Sequence, residues 1–105
     1  MIAELPDPKQ IEIFIRQLVD EKYLVPRQPR ICAPRIRENI ERLMSGEIPP
    51  PIKVVDRVLC DGHHRYIAGL IYGEEPDTIP WALPTNYIVR KWQDIEVDLE
   101  MWHFD

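Results

Sequence analysis

Asp61, Gly62, His63, His64 and Arg65 stand in one unbroken run inside "VLCDGHHRYIAGLIYG", residues 58–73. A carboxylate, two imidazoles and a guanidinium around a glycine can hold an anion, move a proton or ligate a metal. The neighbours narrow the choice. "VLC" reads as the end of a strand, and from His63 the apolar spacing changes to that of a helix, with Ile67, Leu70 and Ile71 on one face and Gly73 as its stop. A strand feeding a helix through glycine leaves the helix's first N–H groups facing open space, where the helix dipole favours an anion. Gly62 permits the turn and a close approach of the backbone. Arg65 offers a planar fork suited to phosphate oxygens, His63 and His64 offer donors that titrate near neutrality, and Asp61 can cap the helix or orient a ring.

Phosphate binding is therefore one reading of this corner. A second takes the histidines as capping and surface-packing residues. A third, zinc, has less to stand on: adjacent histidines diverge on a helix, and no other cluster completes a ligand set at familiar spacing.

The elements that must position this corner can be read on either side of it. Asp7 and Pro8 start a helix over about 7–21 with Ile11, Phe14, Ile15, Leu18 and Val19 on one stripe. "LVPRQPRICAP" carries three prolines and reads as extended chain with a short strand at Arg30–Cys32. Pro34 opens a second helix, with Ile36, Ile40, Leu43 and Met44 buried and Gly46 ending it. "IKVVDRVLC" reads as a hairpin turning at Asp56 and Arg57. "TIPWAL", "NYIVRKW" and the alternating "DIEVDLEMW" read as short strands. The order predicts an α+β fold with three main helices and a small mixed sheet.

The chain has 105 residues, enough for one domain and one modest core. Thirteen Lys and Arg against eighteen Asp and Glu give a net charge of −5, which argues against wholesale capture of nucleic acid. Five arginines nevertheless fall within residues 27–42 against two glutamates, a local basic surface that suits a small polyanion. No apolar run approaches the ~20 residues of a membrane span, and the N-terminus lacks a secretory pattern, so a cytoplasmic protein is expected. Cys32 and Cys60 form no CxxC pair and read as reduced and packed. Trp81, Tyr87, Trp92 and Trp102 read as core or interface residues before base-stacking platforms. The apolar tail "MWHFD" would suit a protein partner or a homodimer contact, with His103 a minor site candidate.

"VLCDGHHRYIAG" resembles the signature of the ParB/sulfiredoxin-like superfamily, a strand, a G-x-x-R motif and a helix at a nucleotide phosphate site. "RQPRICAPRIRENIERLMSGEIPPPIKV" is similar to the first conserved block of ParB N-terminal domains. The resemblance covers about residues 26–82, leaving outside it the first helix and an acidic strand or tail over 86–105. Gly62 and Arg65 match the ends of the ParB-type G-E-R-R box, and His63 and His64 replace its middle pair. Against the sulfiredoxin G-C-H-R, His63 stands where the nucleophilic cysteine would be, which removes that chemistry.

The resemblance implies a phosphate pocket of Arg30, Asp61, Gly62, His63, His64 and Arg65, with Gln28 and Pro29 on its other wall. It implies ATP or another nucleotide as ligand, with Mg²⁺ bridging between the phosphates and Asp61. His63 or His64 would then act in phosphotransfer or hydrolysis, and Glu38, Glu41 or Glu47 could serve as base. Arg35, Arg37 and Arg42 read as solvated helix positions. Bacterial toxin effectors include similar modules. The alternatives are a non-catalytic nucleotide switch or interaction module and, with less support in an acidic chain lacking a helix-turn-helix, a nuclease or DNA-binding protein.

Overall fold

Asp7 caps the first helix, α1 (Pro8–Arg16), through a reciprocal pair: its carboxylate accepts from the Gln10 N–H at 2.8 Å, and the Gln10 side chain accepts from the Asp7 N–H at 2.9 Å. The computed structural model describes residues 4–19 and 21–102. The helix stops short of the expected residue 21. Leu18 turns back into the core while Val19, expected on the buried stripe, is 74% exposed. The last residue of α1 and the turn after it are bound by a segment near residue 93. Gln93 Nε2 donates to Leu18 O at 3.0 Å and to Arg16 O at 3.4 Å, and Arg16 donates to the carbonyls of Trp92 and Ile95 at 2.9 and 2.7 Å.

Strands β1 (Val25–Pro26) and β2 (Arg30–Cys32) lead into α2 (Ala33–Met44), which buries Ala33, Ile36, Ile40 and Leu43. Met44, expected on that face, is exposed. Gly46 at φ +90° ends the helix: its N–H reaches Leu43 O and the Glu47 N–H reaches Arg42 O, the paired closure of a helix C-terminus. Strands β3 (Ile52–Val55) and β4 (Val58–Asp61) form the expected hairpin, with Asp56 and Arg57 both at positive φ as a two-residue primed turn requires. Then follow α3 (His63–Tyr72), β5 (Thr78–Pro80) and β6 (Glu96–Asp98).

The fold is α+β, with three helices among the described residues and two small sheets. One sheet runs β1-β4-β3-β5, antiparallel only between β3 and β4; the other pairs β2 with β6 in parallel. The core lies between the helices and the sheet, where Ile11, Ile15, Ile36, Ile40, Leu59 and Ile67 are fully buried. On α3 the buried positions are His63, Tyr66, Ile67, Ala68, Gly69 and Tyr72, whereas Leu70 and Ile71 are only partly covered. Three expected strands change, and of "TIPWAL" only Thr78–Pro80 is strand. Residues 86–92 form none, and of "DIEVDLEMW" only Glu96–Asp98 pairs, with Leu99 exposed. Within the acidic tail, residues 103–105, including His103, lie outside the described residues. No helix among the described residues is long and apolar enough to cross a membrane.

Candidate functional site

Gly62 sits between β4 and α3 at φ +94°, a backbone conformation that favours glycine, and a Cβ there would stand 2.5 Å from Ile52 Cγ2. The turn thus needs glycine twice over, for its dihedral and for its packing. No side chain caps the helix that follows. Its first residues border a cavity of about 400 Å³, walled on one side by Asp61, Gly62, His63, His64 and Arg65 and on the other by α2 and the Glu47–Pro50 loop.

Arg65 lies along the rim. One terminal nitrogen donates to Pro51 O at 3.2 Å and stands 3.7 Å from Asp61 Oδ2, while its Nε is buried without a hydrogen-bond partner. Across the cavity, α2 contributes Arg35, Glu38, Asn39 and Arg42. Counting Glu47, the wall carries three guanidiniums and three carboxylates, Arg35, Arg42 and Arg65 against Glu38, Glu47 and Asp61. Such a mixed lining suits a phosphate compound that brings a cation with it better than a bare polyanion.

Both histidines, expected to move protons, have their Nε2 atoms engaged by backbone N–H groups. His63 is 3% exposed, and its Nε2 accepts from the backbone N–H groups of Arg27 at 3.1 Å and Gln28 at 3.2 Å. His64 Nε2 accepts from the Cys32 N–H at 2.9 Å, at the start of α2. An imidazole nitrogen that accepts cannot carry a proton, so both rings are neutral with hydrogen on Nδ1. Burial, then the neighbouring His64 and Arg27, pushes His63 down to about 4 despite the opposing pull of Asp61; burial, then Arg35 and Arg65, does the same to His64. Each ring ties the start of α3 to a segment more than 30 residues upstream.

Aromatic packing holds the rings in place. Trp92 meets His63 edge-on at 6.3 Å and stacks on Tyr66, and Trp102 meets His64 edge-on at 5.4 Å. Tyr66 and Trp92 also hold both polar groups of Leu24: its N–H donates to the Tyr66 hydroxyl at 2.9 Å, and its carbonyl accepts from Trp92 Nε1 at 2.8 Å. Burial raises the Tyr66 phenol above its ordinary value.

Arg30 does not join the pocket. It is the exposed residue of β2 and pairs with Asp98 at 2.7 and 3.2 Å and with Glu96 at 3.2 Å, contacts that link β2 to β6 and draw the Asp98 carboxyl below its usual value. Of the expected opposite wall, Gln28 lines the cavity and Pro29 does not. Arg35 and Arg42, read as solvated, do line it, whereas Arg37 donates to Pro6 O elsewhere. Their signal was present in the sequence: Arg35, Asn39 and Arg42 follow i, i+4, i+7 spacing, the polar stripe beside Ile36, Ile40 and Leu43.

Cys32 is buried and Cys60 partly so, both as free thiols. Among the described residues no group of three or more His, Cys, Asp or Glu side chains could hold a metal ion. Compared with protein-family models, curated proteins and solved structures, the chain matches none.

Proposed function

We propose that the chain is a nucleotide-binding domain of the kind its motif resembles, holding the phosphates of ATP or another nucleoside triphosphate at the Gly62–Arg65 corner. The observation that carries this reading is the uncapped N-terminus of α3 bordering a cavity of about 400 Å³, with the partnerless Nε of Arg65 at its rim. Cavities of roughly 300–1,000 Å³ accommodate ligands of this class. The α3 N–H groups and Arg65 hold the phosphate oxygens, and Arg35 and Arg42 supply charge from the facing helix. Mg²⁺ fits this wall only as an ion shared with the phosphates: Asp61 stands beside the N–H groups, and Mg²⁺ sites commonly use one or two carboxylates together with phosphate oxygens. When bound, the ion neutralises phosphate charge.

Because both Nε2 atoms are engaged by backbone, His63 and His64 position the corner and do not shuttle protons. Glu38 and Glu47 are the carboxylates on the cavity wall placed to accept a proton from a phosphoryl acceptor, if there is turnover. The engaged imidazoles favour the second reading, a cytoplasmic module that binds nucleotide without turning it over. Calorimetric titration of ATP, ADP, CTP and GTP with Mg²⁺ tests the proposal. The native chain is expected to bind at least one, and Arg65→Ala to weaken it by about tenfold or more, the cost of one charge-assisted hydrogen bond. Phosphate release from the binder then separates enzyme from switch. Absence of binding by all four overturns the proposal.

A further inference from the structure

A second cavity, of about 340 Å³, opens on the other flank of His63. Its wall includes Arg27, Gln28, Cys60, Tyr87, Ile88 and Arg90 and contains no carboxylate. In a chain of net charge −5, two guanidiniums facing one cavity without an acidic neighbour are a specific arrangement. Neither makes an ion pair among the described residues, and the Nε of Arg90 is buried without a hydrogen-bond partner. A buried donor of this kind calls for an acceptor.

The backbone around the cavity is fixed. The Arg90 N–H donates to Pro26 O at 2.8 Å, and His63 already holds the N–H groups of Arg27 and Gln28. At Arg27 and Arg90 the donors left to a ligand are therefore the side-chain forks and not the backbone N–H groups. That is the opposite of the first cavity, where a helix terminus faces the space. Planar guanidinium forks match a planar carboxylate, and Tyr87 and Ile88 offer partly exposed apolar surface beside them.

We propose that the cavity between Arg27 and Arg90 binds a small organic carboxylate, its charge on the two guanidiniums and its apolar body against Tyr87 and Ile88. The assignment does not depend on what occupies the first cavity, although Gln28 and His63 line both.

Titration of the full chain with benzoate, followed through backbone amide and arginine Nε–H resonances, tests it, with benzamide as the neutral shape control and inorganic phosphate as the competing anion. Saturable shifts are expected at Arg27, Tyr87 and Arg90 and not at Arg35 or Arg65. Arg90→Gln is expected to weaken benzoate by about tenfold, since each tenfold step corresponds to the loss of one such charged contact. Arg27→Gln provides an independent variant should Arg90→Gln perturb the fold. Benzamide binding as tightly as benzoate, phosphate displacing benzoate at equal concentration, shifts centred on Arg65, both variants keeping native affinity, or no saturable shift would each overturn the proposal.

Discussion

Residues 58–72 and 78–91 both gather aromatic and charged side chains, and they use them in opposite ways. In the first stretch the polar groups are turned inward onto backbone: His63 and His64 accept N–H groups from upstream segments, and the Tyr66 hydroxyl accepts another. In the second, the apolar groups face outward. Trp81 is 51% and Ile88 63% exposed, and Lys53 stands 3.9 Å over the Trp81 ring. An imidazole or hydroxyl that accepts a buried N–H favours one geometry, because losing it would leave that N–H a costly orphan; exposed rings impose no such condition. The stretch that carries the strand-glycine-helix corner is thus the one more firmly tied to the rest of the chain.

Acid should act on this contrast most strongly. Folded, each imidazole takes up a proton only near pH 4, against 6.5 in the unfolded chain. The stabilisation is therefore complete above about pH 6.5 and is lost as pH falls from there toward 4, by at most about 3 kcal/mol per ring. Urea midpoints measured from pH 7.5 to 4 should fall steadily across that window. A flat profile would mean that the rings are not held neutral by the fold.

His63→Leu sharpens the same comparison. It keeps apolar volume beside Trp92 but leaves the Arg27 and Gln28 N–H groups without their acceptor, at a cost of about 2–3 kcal/mol at pH 7. It should also flatten part of the pH profile, a change that loss of packing alone does not produce. The smallest effect belongs to the second stretch. Trp81→Ala removes a half-exposed ring and a cation–π contact, and should shift stability by less than about 1 kcal/mol. A larger loss would show that residues 78–91 are as firmly built in as residues 58–72.

What the sequence made legible was local. The Asp7–Pro8 start, the Gly46 stop, the Asp56–Arg57 turn and the strand-glycine-helix corner each depend on neighbours within a few residues, and each is present. The errors arose where distant chain decides. Val19 lost its place on the stripe because α1 ends against Gln93. Residues 86–92 have strand-like composition, yet Trp92 turns inward to Leu24 and leaves Tyr87, Ile88 and Val89 outside. Arg30 was assigned to phosphate because β6 could not be foreseen beside β2, where Asp98 claims it. At the corner itself, residue types marked the site but could not reveal that both imidazoles were already spoken for by amides 32 to 36 residues away.

The stitching of α1 to residues 92–95 bears on the order in which the chain is made. A nine-residue helix is marginal in isolation, and the groups that finish this one arrive 75 to 79 residues later. This helix is therefore made well before the groups that complete it. Until Trp92 and Ile95 emerge, the core that Ile11 and Ile15 join lacks two of its members, and a nascent chain cut before that point leaves the apolar stripe of α1 less covered.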